Sequence, residues 1–272
     1  MIEYVQKKKN IILTILLILI TITSMLIGVR KYELKNEKIT KSIHESSVSI
    51  KDPDAEKQIS EEELVDEFFN ANHLKFVFLA KTFQIDSNLF IALMKSQYKE
   101  LNLLNQENLD YFLIEYLLNL ENSDKSLFNK GMTPCKDSKE YIISLVKYFT
   151  NIYSNVNFNI AAAIANVEST YTSSYMLSVN NIFGGMSGSG LLRFKNIEYG
   201  VLKYIKMLND GYFAKGLTTV EDIGKIYNPT ITENGIKIAK PSWVTHVNGY
   251  LNAFGGYENV DINTLNSLKS IE

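Results

Sequence analysis

The hydrophobic pattern divides the chain into stretches of different character. Ile11 to Val29 form an apolar run without a charge, after which Lys, Glu and Ser dominate up to about residue 59. At about 1.5 Å per residue the run is long enough for a hydrocarbon core of roughly 30 Å, so it predicts a spanning helix, and the polar stretch predicts a solvated stalk. Ser60 with Glu63 three residues on is a capping box that opens the next element. From there to Tyr153 apolar residues recur at helical spacing, as in "LFIALMKSQYKEL" and "LDYFLIEYLLNL". The breaks near Asp86 and residues 121–126 divide this region into three or four helices. "KGMTPCKDSKE" is a further break, and Asp137 or Ser138 can cap the helix that follows it.

The stretch "AAAIANVESTYTSS" then places one carboxylate in a helix that is otherwise almost wholly apolar. Between Ile160 and Glu168 only Asn166 and Glu168 are polar, and Asn157 or Asn159 can cap the start. Ala161, Ile164 and Ala165 share the Glu168 face, and Tyr171 lies one turn ahead, so the acid looks out of an apolar and aromatic wall. Burial and a position at the helix C-terminal end both favour the neutral acid. One reading is a general acid. The other is a buried glutamate satisfied by Arg193, Lys195 or a loop amide.

The rest of the chain alternates short turns and helices. "NNIFGGMSGSGLLRF" is a polar, Gly-rich segment anchored by Phe183 and predicts a short hairpin ending at Phe194. "NIEYGVLKYIKML" predicts a helix capped by Asn196, with Glu198 in its first turn. Thr218 with Glu221 predicts a capping box for a short helix that stops at Pro229, and "ITENGIKI" carries the Asn-Gly turn of a small hairpin. Pro241 suits the first turn of a closing helix in which Trp243 is read as a core residue.

Composition narrows the function. A net charge of -2 over 272 residues argues against a nucleic-acid binder, and the single cysteine, Cys135, excludes an intramolecular disulfide framework. His44, His73 and His246 are too scattered to suggest a zinc site. The apolar run is longer than a signal peptide requires and lacks a small-x-small cleavage site. Lys7, Lys8 and Lys9 favour an inside N-terminus, opposed by Arg30 and Lys31, so the bulk of the chain is expected on the extracellular face of the cell membrane. Thr14, Thr21, Ser24 and Gly28 lie on one face of the span, a stripe suited to an integral-membrane partner.

Several motifs in order resemble one enzyme family. Glu-Ser at a helix end ("VESTY"), Asn-x-Phe-Gly ("NIFGG"), an Arg-Phe strand leading into a helix ("LLRFKNIEYGVLKYI"), Tyr-Asn-Pro and a Trp-containing last helix resemble the bacterial endo-β-N-acetylglucosaminidases of glycoside hydrolase family 73. With the anchor and the preceding helices, the chain is similar to the membrane-bound, SagB-type members of Gram-positive bacteria. The resemblance covers roughly residues 138–256. It implies a mainly α, lysozyme-like fold with a short β-hairpin and a groove for peptidoglycan glycan strands, cut after N-acetylglucosamine. It implies Glu168 as the catalytic acid and Tyr227 as an active-site tyrosine, which could instead only pack at a helix end. Asn181, Phe183, Gly184 and Asn228 match the groove segments, with Tyr171 beside them. The loop holding Asn181 and Phe183 could equally only shape a turn. No metal or organic cofactor is implied.

The expected organisation is a cytoplasmic tail at 1–10, an anchor at 11–29, a stalk at 30–59, a helical lobe at 60–137, the catalytic domain at 138–260 and a C-terminal tail at 261–272. One departure from the family affects mechanism. "GGMSGSGLLRFKN" carries no acidic residue, where some members place a second carboxylate, and Glu198 is the nearest candidate. Substrate assistance by the 2-acetamido group is therefore the preferred mechanism. A lytic transglycosylase and a non-catalytic wall-binding scaffold are the alternatives.

Overall fold

The computed structural model describes residues 59–188 and 190–269; the expected anchor, stalk and small-residue stripe lie outside them. Among the described residues no single helix is long and apolar enough to cross a membrane. The architecture is mainly helical with two small antiparallel sheets.

Four helices come first: α1 (Glu61–Ala71), α2 (His73–Phe83), α3 (Ser87–Ser96) and α4 (Leu109–Ser123). The Ser60–Glu63 capping box is present in both directions. Asp86 and Asn108 cap α3 and α4 through their side chains. Phe69 stacks on Phe76 at 5.0 Å, and Phe76 meets Phe90, so aromatic side chains fill the angle between α1, α2 and α3.

The second half is built around α6 (Phe158–Ser169), the helix that carries Glu168. It packs against α5 (Lys139–Ile152) and α10 (Pro241–Tyr250), while α5 also packs on α8 (Ile197–Gly211). A one-turn helix, α7 (Ser174–Leu177), and the hairpin β1 (Met186–Ser187) and β2 (Gly190–Leu191) link α6 to α8. Next come α9 (Val220–Tyr227), the hairpin β3 (Pro229–Ile231) and β4 (Lys237–Ala239), and then α10. Gly235, of the Asn-Gly pair, takes φ 75° in the connecting turn. The N-cap of α9 is Thr219 rather than Thr218. Thr219 Oγ1 accepts the Asp222 amide, so the extended residue that ends the loop lies one position later than the capping-box pattern predicts.

Two expected boundaries do not appear. The first is the division at residue 137, because the hydrophobic core runs without a break from Val65 to Leu265. The joint is specific: Asn196 caps α8 through its oxygen and donates its amide nitrogen to the carbonyls of Lys81 and Thr82. Lys195 Nζ donates to the Phe83 carbonyl, so two adjacent residues satisfy the open C-terminal end of α2. The second is the tail at 261–272. Residues Ile262–Lys269 form α11, capped by Asp261, with Leu265 buried against α2 and α5.

Candidate active site

Glu168 stands in the last turn of α6, half-buried. The helix around it follows from its sequence: Ala161 to Ala165 are fully buried, and such small side chains let neighbouring elements approach the backbone. Two buried tyrosines use that access. Tyr204 of α8 donates to the Ala161 carbonyl at 2.7 Å, and Tyr171 donates to the Ala162 carbonyl at 2.8 Å. Beyond Ser169 the chain turns through Thr170 and Tyr171, at φ 54° and 59°. Two successive non-glycine residues in the left-handed region cost energy, and the buried Tyr171 ring with its hydroxyl bond holds them there.

Two features bracket the carboxyl group. On one side Trp243 Nε1 donates to Oε1 at 3.0 Å. On the other, Gly184 at φ 69° has no side chain, and a Cβ there would lie 3.1 Å from Oε2. Among the described residues no donor reaches Oε2. Burial pushes the carboxyl group above its ordinary range, and the indole N–H, which favours the anion, opposes this. No second carboxylate contributes to the shift. Arg193 is exposed and Lys195 is paired with Glu121, so neither supplies the partner that a purely structural glutamate would need.

Tyr227 ends α9 with its ring stacked on Trp243 at 5.5 Å and its hydroxyl donated to the Phe183 carbonyl. Burial first, and then the Glu168 charge, hold its pKa well above the usual phenol value, so it stays protonated. Tyr227 thus joins the Trp243 side of the site to the loop that carries Gly184. Gly224, one turn earlier on α9, gives Trp243 its place. A Cβ there would lie 2.6 Å from the Ala239 Cβ and 3.0 Å from the indole ring.

Of the sequence-predicted site residues, Glu168, Tyr227 and Gly184 meet at one point. Three others correct the expectation. Tyr171 is 1% exposed and committed to α6, so it positions the helix end and cannot contact a sugar. Asn181 is fully buried: its amide bonds the Gly185 and Leu192 carbonyls and its oxygen accepts the Phe183 amide, which makes it the brace of the loop. Phe183 is buried and stacked on Tyr204 at 5.0 Å. The Asn-x-Phe-Gly segment thereby shapes a turn. Asn228 caps α9, and its carbonyl accepts the Lys240 amide; no described residue bonds its carboxamide. Glu198, the nearest candidate for a second carboxylate, is 2% exposed and held by Tyr141 and Lys269.

Trp243 is the residue that sequence reasoning placed in the core without a further role. It is buried, yet its one polar atom points at the acid. A buried indole N–H needs an acceptor, and that requirement was the available signal. Cys135 is half-buried beside Asp137, and burial pushes its thiol up to about 12, far from nucleophilic.

Comparisons of the chain with protein-family models, with curated proteins and with solved structures gave no match.

Proposed function

We propose that the chain is a membrane-anchored peptidoglycan endo-β-N-acetylglucosaminidase with a lysozyme-like catalytic fold, in which Glu168 is the general acid. The observation that carries this reading is the environment of that carboxyl group. Burial favours its protonated form, Trp243 holds one oxygen, and the other faces the open side of Gly184. Protonating a glycosidic oxygen needs an acid that keeps its proton near neutral pH, and an apolar setting against a tryptophan is the arrangement known from lysozyme's own glutamate.

With no second carboxylate beside Glu168 among the described residues, the substrate's 2-acetamido oxygen attacks the anomeric carbon. The bond to the leaving oxygen breaks as that oxygen takes the Glu168 proton. Water then opens the cyclic intermediate and gives its proton back to the Glu168 carboxylate. Tyr227 serves this step by position, since its hydroxyl is committed to the Phe183 carbonyl and its ring to Trp243. The apolar run at residues 11–29 would tether the enzyme to the extracellular face of the membrane, with Thr14, Thr21, Ser24 and Gly28 facing an integral-membrane partner.

Mass spectrometry of purified peptidoglycan digested by the wild type and by Glu168→Gln tests the reading. The expected result is fragments with N-acetylglucosamine reducing ends from the wild type alone. Ends carrying 1,6-anhydro-muramic acid would overturn it in favour of a transglycosylase. Unchanged digestion by the variant would remove Glu168 from the chemistry.

A further inference from the structure

A cleft of about 700 Å³ opens between the end of α4, the turn Lys125–Leu127, the loop at residues 129–132 and the chain leaving β2. Its charge is one-sided. Glu121 is the one acid among the lining residues, and both of its oxygens are taken, by Lys195 and by the Tyr199 hydroxyl. Lys195 is held further by the Phe83 carbonyl and the Tyr199 ring, so these three side chains form a neutral floor. Lys125, Lys130 and Arg193 remain, exposed and without a carboxylate partner among the described residues. Three uncompensated cations around one concavity, on a chain of net charge -2, mark an anion-binding surface.

The arrangement points to the kind of anion. The cations come from three separate segments, a 3-10 turn, a loop and a strand exit, so they suit separated charges better than one compact tetrahedral group. Asn122 and Asn129 add carboxamides, which both donate and accept and so match peptide units. The volume lies in the range of pockets that hold a drug-sized ligand, enough for part of a short peptide. Position matters too. Leu192, next to Arg193, donates to the Gly185 carbonyl, and its own carbonyl is held by Asn181. Arg193 therefore leaves the same braced segment that sets Gly184 against Glu168.

We propose that this cleft binds the carboxylate-bearing stem peptide of peptidoglycan while the neighbouring glycan lies at Glu168. This rests on the glycosidase reading above, and it makes stem-bearing glycan, rather than stripped glycan, the preferred substrate. The test combines the substitutions Lys125→Gln, Lys130→Gln and Arg193→Gln in the full chain in detergent, where these exposed positions leave the melting temperature unchanged.

On stem-bearing peptidoglycan the half-saturating substrate concentration is expected to rise about tenfold, with the maximal rate within about twofold, because three exposed charge contacts together are worth roughly 1.4 kcal/mol. On glycan stripped of its peptides by an amidase, variant and wild type are expected to be equal. Equal behaviour on both substrates would overturn the proposal.

A binding measurement without turnover separates this proposal from the glycosidase reading. A synthetic stem pentapeptide titrated into the full chain is expected to bind the wild type, more weakly as NaCl rises, and not the triple variant. Such binding without any glycan cleavage would uphold the cleft while the hydrolase reading fails. Cleavage without peptide binding would overturn the cleft alone. Tighter binding of a poly(glycerol phosphate) chain, or of vesicles rich in anionic lipid, than of the peptide would overturn its assignment to the stem.

Discussion

At the scale of single residues, the chemistry of Glu168 is set by what touches its two oxygens. Trp243 stabilises the carboxylate form through Oε1 and burial disfavours it, and burial wins. Trp243→Phe keeps the stack on Tyr227 and removes the N–H, so the Glu168 pKa should rise further. A pH–rate profile is expected to show the alkaline limb moved to higher pH, with a lower maximal rate because the carboxyl group is less firmly held.

The same balance has a stability consequence. A carboxyl group whose folded pKa is raised lowers stability as pH rises from the ordinary carboxyl value to the raised one, because over that window the unfolded chain releases its proton while the folded state keeps it, and above the raised value the full penalty persists. Glu168→Gln keeps an acceptor for Trp243 and removes the charge. Thermal unfolding should therefore show the variant more stable than the wild type at neutral pH, with the gain disappearing as pH falls below the ordinary carboxyl value of 4.5.

At the scale of elements, α11 is held by more than its apolar face. Lys269 in its last turn pairs with the buried Glu198 and reaches Asp137 at 3.3 Å, and Tyr141 donates to the same Glu198 oxygen at 3.0 Å. Breaking a buried pair from one side leaves a desolvated charge without its partner. Lys269→Ala is expected to cost about 3 kcal/mol in chemical denaturation. Lys269→Ala with Glu198→Gln should recover part of that loss, since the stranded charge is gone. The latch was not legible in the chain. Glu198 in a first turn has a sufficient local explanation in the helix dipole, and its partner lies 71 residues away. The helix itself is legible: Asp261 precedes Ile262, Leu265 and Leu268 at helical spacing, a run too short to stand out from a C-terminal tail.

At the scale of the whole molecule, the first four helices and those that follow share one core. Asn196 and Lys195 tie the end of α2 to the start of α8, and Phe83 meets Tyr199 edge-on at 5.4 Å. Residues on both sides of position 137 should then unfold together. Hydrogen exchange in α2 and the fluorescence of Trp243 are expected to give coincident denaturation midpoints, where independent lobes would give two.

The chain alone determined what depends on neighbours in sequence. Helical periodicity, the caps at Ser60 and Asn196, the Asn-Gly turn and the isolated carboxylate of an apolar helix are local patterns, and each has a local physical cause, while the choice of Ser138 over Asp137 and of Asn157 over Asn159 came with the structure. Only the tertiary structure decided which polar groups remain open to a ligand. Asn181 looked like a site residue because its loop resembles the family's groove segment, and Tyr171 because it is aromatic one turn ahead of Glu168, and they are consumed in bracing a turn and a helix end. Trp243 looked like core, and it is buried there while its indole N–H also holds the acid. Whether a hydrogen-bonding group is spent on the fold depends on residues far away in the chain, because a buried donor or acceptor must find its partner wherever folding brings one.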